Sequence, residues 1–352
     1  MKKFTRRAFL GTTVGATIAT ASMAQLIRAG EASAQGKQIN LYSSRHYNTD
    51  RRLYTDFEKE TGIKVNLIEG KGDELFERVK NEGNNSPADI FMTVNALNLW
   101  RAQQAGFLSP VNSNTLRSSI PSYLRDPANN WFAFSKRARV IMYNRNKVSR
   151  NQLSTYEDLA SPKWQGKLVM RSSTNIYNQS LTAGMIANYG EAKTEAWCRG
   201  LVSNFVRPPQ GNDRAQIEAV ASGIADVTCA NTYYLGAYAR STDPNLKAVL
   251  QQVGVFFPDQ AGPGTHVNIS GAGVMKNAPN RAGAVRFLEY LVSPTAQRYF
   301  AEGNTEYPVV EGIPPQLFLA QYGSFKEDRS GVFKHGPNAA TAIRIMDRAG
   351  WK

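Results

Sequence analysis

From residue 37 onward, short apolar runs alternate with amphipathic ones, and that alternation restricts the chain to an open α/β architecture. "KQINLYSS" reads as a β run, "NTDRRLYTDFEKETG" as an amphipathic helix stopping at Gly62, and "IKVNLIEG" as the next strand. The βαβ start continues through "KGDELFERVKNEG" as helix, "ADIFMTV" as strand and "ALNLWRAQQAG" as helix, ahead of the loop "FLSPVNS". These segments make one lobe. At 352 residues the chain exceeds what a single core accommodates, since cores stop growing near ~250–300 residues, so a second lobe is expected.

"NWFAFSKRARVIMYNRNKV" reads as long extended segments, after which "TYEDLASPKWQGKLVMRSS" and "NQSLTAGMIANYGEAKTEAWCRGLVSNF" repeat the strand and helix logic. "GNDRAQIEAVASGIADVTCANTYYLGAYAR" supplies a helix, a strand and a Tyr-rich turn, and "VGVFFPDQAGPGTHVNISGAGVMKNAPN" is extended again. The helix "NRAGAVRFLEYLVSPTAQRYFAEG" and the tail "NAATAIRIMDRAGW" are expected on the outside of the body. Two α/β lobes joined by two extended crossover strands describe the bilobal periplasmic solute-binding fold of type II, whose ligand sits in the interlobe cleft. Residues 37–131 with 259–305 form the expected N-lobe, and 132–258 with 306–352 the expected C-lobe. Fold alone does not give function.

Residues 1–34 carry a basic head, a weakly apolar middle and the small-residue sequence Ala32-Ser33-Ala34 before Gln35, the pattern of a cleavable export signal. The middle is diluted by Thr, Gly and Ser below what a membrane span needs, ~20 predominantly apolar residues. Arg6 and Arg7 in "TRRAFLG" resemble the twin-arginine signal, a route for proteins already folded in the cytoplasm. The expected destination is periplasmic, where disulfides persist. Cys198 and Cys229 are the two cysteines, and one bridge or two buried free thiols are both open.

The formal charge of +14 falls to +10 without residues 1–34, which hold five basic residues and one acidic one. A nucleic-acid site would gather that charge into a stripe with stacking aromatics. Here Lys and Arg are spread, apart from small groups such as Lys136, Arg137 and Arg139, so no nucleic-acid partner is expected. Positive charge also suits an anionic ligand or a set of anionic metal ligands.

Enzyme motifs do not emerge: there is no GxSxG elbow, P-loop, HExxH or CxxC, and no obvious carboxylate pair for acid/base work. His266 and His335 read as lone structural residues in polar loops. The distinctive features are tyrosines. Tyr233-Tyr234 in "ADVTCANTYYLGAY" follow a buried-looking strand and so stand where a strand's C-terminal edge meets a cleft. In "LYSSRHYNTD", His46 sits beside Tyr47 just after the first strand.

"SSRHYNTDRRLYTDFEKETGIKV", "RSSTNIYNQS" and "ANTYYLGAY" together resemble the periplasmic ferric-iron-binding proteins of the cyanobacterial Fut type, over nearly the whole length after the signal. That resemblance implies iron held by phenolates and one imidazole, here Tyr47, Tyr177, Tyr233 and Tyr234 with His46. Tyr177 lies in a polar loop opening a helix after "KLVM", whereas the competing Tyr143 sits within the strand-like "RVIMYNRN" and reads as a core or edge aromatic. Water or an anion could take the place of His46. Arg45 and Arg137 are candidates for balancing the negative charge of the phenolates.

Ferric ion is a hard cation that prefers anionic oxygen donors, so this donor set fits it. The expected function is capture of Fe(III) in the interlobe cleft by a monomeric, non-enzymatic protein that delivers it to an inner-membrane ABC permease, a partner the resemblance implies. The alternative is a binder of another solute, an organic anion or a phosphonate, on the same fold.

Overall fold

A computed structural model describes residues 36–45 and 47–352. The export-type segment 1–34, with Arg6 and Arg7, and His46 lie outside the described residues. The first lobe follows the expected alternation: β1 (Gln38–Ser43), α1 (Asp50–Thr61), β2 (Lys64–Glu69), α2 (Gly72–Glu82), β3 (Ile90–Thr93) and α3 (Ala96–Gln104). β1 pairs in parallel with both β2 and β3. Gly62 ends α1 in the left-handed conformation at φ 72°, donating its N–H to Glu58 O, where a residue with a Cβ would be strained.

α4 (Asn114–Ser119) precedes β4 (Phe132–Asn144), the longest strand and the path between the lobes. Then come β5 (Leu168–Val169), α5 (Ile176–Tyr189), α6 (Glu191–Asn204), α7 (Asp213–Ala221), β6 (Val227–Asn231), α8 (Tyr233–Arg240), α9 (Pro244–Gln252) and β7 (Val253–Phe256). The chain returns through β8 (Val267–Val274), α10 (Arg281–Leu291), α11 (Pro294–Asn304), β9 (Tyr307–Pro308), α12 (Leu317–Ala320) and α13 (His335–Arg348).

The strands run in the order β2-β1-β3-β8-β4-β6-β5, with β7 and β9 also pairing β4. β4 pairs β8 from Phe132↔Ala272 to Ala138↔Val267, then β6 from Arg139↔Asn231 to Tyr143↔Val227. Its residues divide accordingly. Phe132, Ala133 and Phe134 pack in one core with Leu41, Phe57, Phe91, Ile269 and Phe287. Beyond residue 137 the strand is buried on both faces: Val140 and Met142 face Ile217, Val220 and Leu235, while Ile141 and Tyr143 join Trp164, Leu181 and Trp197. This period-2 division is that of a strand between helical layers. Two α/β lobes joined by crossing strands are thus the architecture, and Tyr143 is a core residue of the second lobe.

Three local features differ from the sequence expectations. The Tyr-rich segment after β6 is not a turn but the helix α8. The single helix expected over 280–303 is two, because Pro294 cannot donate to the preceding turn; Ser293 caps the second by accepting from Ala296 N at 3.2 Å. His266 and His335 are not lone loop residues: both are buried, and their rings stack with centroids 4.8 Å apart. The C-terminal helix α13, which starts at His335, packs on α5 and α6 and also reaches α3. Among the described residues, no helix is long and apolar enough to cross a membrane.

Candidate metal centre

The expected tyrosines stand at the C-terminal ends of three strands drawn from both lobes. Tyr47 follows β1 in the first lobe. In the second lobe, β5 and β6 are parallel neighbours, so the segments that follow them emerge at the same sheet edge. One leads to α5, where Asn175 caps the helix by accepting from Tyr177 N at 3.1 Å and fixes Tyr177 in the first turn. The other leads into α8, whose first two residues are Tyr233 and Tyr234.

The side chains converge. Tyr233 donates its phenol hydrogen to Tyr177 Oη at 3.3 Å, and the rings of Tyr233 and Tyr234 lie 4.4 Å apart between centroids. Tyr234 donates to Asp213 Oδ2 at 3.3 Å. All four tyrosines are half-buried. Burial pushes the phenols of Tyr47, Tyr233 and Tyr234 well above the usual tyrosine range. The next cause is Glu306 for Tyr47, Tyr177 for Tyr233 and Asp213 for Tyr234. Tyr177 raises Tyr47 as well, so the phenols of the two lobes oppose one another's ionisation. Tyr47, Tyr233 and Tyr234 therefore hold their protons at neutral pH unless a cation faces them.

Buried arginines surround the phenols. The Arg45 guanidinium stands 4.7 Å from the Tyr47 ring centroid and donates to both oxygens of Asp50, at 2.7 and 3.2 Å. It also donates to Glu306 Oε2 at 3.1 Å. Arg137 lies 5.7 Å from the Tyr177 ring centroid, donates to Ser270 Oγ at 2.9 Å and approaches Glu306 Oε1 at 3.5 Å. Its Nε and Nη2 atoms are buried without a partner among the described residues.

Behind Tyr234, Asp213 joins two more arginines: Arg139 Nη1 at 3.2 Å on Oδ1 and Arg171 Nη1 at 2.5 Å on Oδ2. Arg139 also donates to Asn178 Oδ1 at 2.6 Å, one residue beyond Tyr177. Sequence reasoning did not single out Arg139, Arg171, Asp213, Asn178 or Glu306. One signal was present: Arg137 and Arg139 stand two apart, hence on one face of a strand whose following residues, Val140 to Tyr143, are apolar or aromatic.

The arrangement offers four phenol oxygens as hard donors, with cationic groups behind them. Among the described residues, no group of three or more His, Cys, Asp or Glu side chains is set to hold a metal. Cys198 and Cys229 are buried free thiols.

Residues 52–327 match the model of the bacterial extracellular solute-binding protein family. The chain is 55% identical to iron uptake protein A1 of Synechocystis sp., over the whole length of both chains. It is 30% identical to the major ferric iron-binding protein of Neisseria meningitidis, covering 89% of this chain and 93% of that one. A Trichodesmium protein solved in complex with iron and citrate ligands superposes with a TM-score of 0.88 at 62% identity, over 90% of this chain and 100% of that one. The chain belongs to the bacterial extracellular solute-binding protein family, and within it to the group of the cyanobacterial Fut-type iron uptake proteins.

Proposed function

We propose that this protein binds ferric iron in the cleft between its lobes, with Tyr47, Tyr177, Tyr233 and Tyr234 as phenolate ligands. His46 is the fifth ligand in this reading. The observation that carries it is the meeting of phenols from three strand ends, with the Tyr233 and Tyr177 oxygens 3.3 Å apart. Relatives named for iron uptake and ferric iron binding support the choice of cargo.

Charge supports the ferric state. A phenol near its ordinary pKa of ~10 costs about 4 kcal/mol to ionise at pH 7, and four cost on the order of 16, before burial adds its share. Only a highly charged cation offsets that. Four phenolates around a 3+ ion leave one negative charge. The four arginines Arg45, Arg137, Arg139 and Arg171, set against Asp50, Asp213 and Glu306, leave one positive charge to neutralise it. Reduction to ferrous ion adds a negative charge and weakens the match, which gives a release route.

In the same reading the protein is exported by the twin-arginine route and works in the periplasm as a non-enzymatic monomer. The lobes 37–131 with 259–305 and 132–258 with 306–352 close on the ion. The closed form delivers it to an ABC permease of the inner membrane, in keeping with the solute-binding family.

A visible absorption titration of the metal-free protein with ferric citrate tests the site, comparing wild type with Tyr177→Phe and Tyr233→Phe. A phenolate-to-iron charge-transfer band that saturates at about one equivalent, and is lost or shifted in both variants, is expected. A colourless protein, or a band indifferent to both substitutions, overturns the iron assignment in favour of an organic anion or phosphonate on the same fold.

A further inference from the structure

Thr305 is the C-cap of α11 at φ 56° and ψ 41°, a left-handed position normally given to glycine. A β-branched residue there is an outlier, and such strain persists only where its surroundings impose it. The surroundings are specific. Thr305 is fully buried, and its hydroxyl accepts from Arg240 Nη1, at the end of α8. Its side chain fills the space left by Gly236 on the same helix, where a Cβ would collide with Thr305 Oγ1, Cβ and Cγ2.

The residues on either side reach the other elements of the site. Asn304 donates to Asp50 Oδ1 at 3.1 Å and accepts from Thr49 Oγ1 at 2.7 Å, which ties it to the segment just after Tyr47. Glu306 is fully buried, and its two oxygens divide between Arg45, which faces the Tyr47 ring, and Arg137, which faces the Tyr177 ring. Three consecutive residues therefore touch α8, the loop after β1 and both arginines beneath the phenols. The segment also leads from α11 into β9, which pairs with the long strand β4.

We propose that Asn304-Thr305-Glu306 is the positioning segment of the metal site, with Thr305 setting where α8 holds Tyr233 and Tyr234 relative to the tyrosines held through Glu306. This rests on the reading that the four phenols bind ferric ion. The segment touches no metal itself; it acts by keeping ligands from both lobes in register, which is what a site assembled across a cleft requires.

The test separates positioning from stability. Thr305→Gly relieves the left-handed backbone but empties the contact with Gly236 and Arg240, so the two effects offset and the metal-free variant is expected to melt within a few degrees of wild type. Its affinity for iron from ferric citrate is nevertheless expected to fall about tenfold, with a displaced charge-transfer maximum. Gly236→Ala pushes on α8 from the other side of the same contact. It is expected to weaken binding in the wild-type background and to add little when Thr305 is already glycine. A Thr305→Gly protein with the wild-type band and affinity, or additive effects of the two changes, overturns the proposal. A wild-type protein with no band overturns the tyrosine site itself, and the positioning role with it.

Discussion

The phenol oxygens of Tyr177 and Tyr233 lie 3.3 Å apart although the residues begin different helices, after different strands. A hydrogen bond spans that gap, and its proton must leave for both oxygens to face a cation as phenolates. In the proposed site iron binding releases protons, so affinity falls as pH falls. The dependence of log affinity on pH, measured with a fixed ferric chelate between pH 6 and 8, is expected to be shallower in Tyr233→Phe than in wild type by about one proton per iron. Equal slopes would mean that the Tyr233 phenol keeps its hydrogen in the loaded protein.

Arg137 carries the next prediction. Its guanidinium lies 5.7 Å from the Tyr177 ring centroid, and two of its buried nitrogens have no partner among the described residues. At such a separation, with an effective dielectric constant of ~20, a unit charge is worth on the order of 1–3 kcal/mol. Arg137→Gln removes that compensation while Glu306 keeps Arg45 and Ser135. Equilibrium competition against a chelator is expected to show ferric binding weakened on the order of 10- to 100-fold, with Arg137→Lys recovering most of it. Equal loss in the lysine variant would point to shape rather than charge.

Much of this molecule was legible from periodicity. The alternation that gave β1 to α3 survives in the structure because the helices bury one face and their ends are capped, as by Gly62 after α1 and by Asn95, accepting from Leu97 N, before α3. The tyrosines were legible because three of them follow strands directly or open a helix. The shell behind them was not. Asp213 meets Arg139 and Arg171 from sequence distances of 74 and 42 residues, and Glu306 meets Arg45 across 261. Nothing local marks such partners. The meeting of His266 and His335 was hidden for the same reason, although their structural role was read, since polar neighbours in sequence gave no sign that the two rings stack out of solvent.

Two cysteines left open from sequence are two separate thiols. Cys198 lies on α6 and Cys229 on β6, both buried and unpaired. Burial pushes each thiol up to about 12, against the lowering effects of Thr182 on Cys198 and Arg139 on Cys229. Such groups are poor nucleophiles. A thiol reagent is expected to react slowly with native protein and to count two thiols after denaturation without reductant, with a melting temperature indifferent to reductant. A count of zero would establish a bridge.

The stacked histidines make acid lability the last expectation, and its sign can be worked out. Burial lowers both imidazoles, with His335, Arg139 and Arg137 lowering His266 further. Asp328 faces His335 and opposes the effect, leaving it at about 4 from an ordinary 6.5. The unfolded chain thus binds protons that the folded one refuses, so stability is lost as pH falls from about 6.5 toward 4. Asp259 works the other way. Burial, aided by Glu157 and Asp328 and opposed by the Tyr156 amide, raises its carboxyl from 3.8 to about 7, so the folded form takes up a proton first and gains stability as pH falls through that window. Metal-free protein followed by urea unfolding should separate the two. His335→Gln is expected to flatten the loss between pH 6.5 and 4 by on the order of 1–3 kcal/mol, and Asp259→Asn to steepen it while stabilising the protein at pH 8. Asparagine tolerates the left-handed backbone at 259, φ 61°, so that gain is not confounded by strain. Parallel pH profiles for wild type and His335→Gln would mean that the imidazole pair titrates alike folded and unfolded, which a stack sealed from solvent between β8 and α13 does not allow.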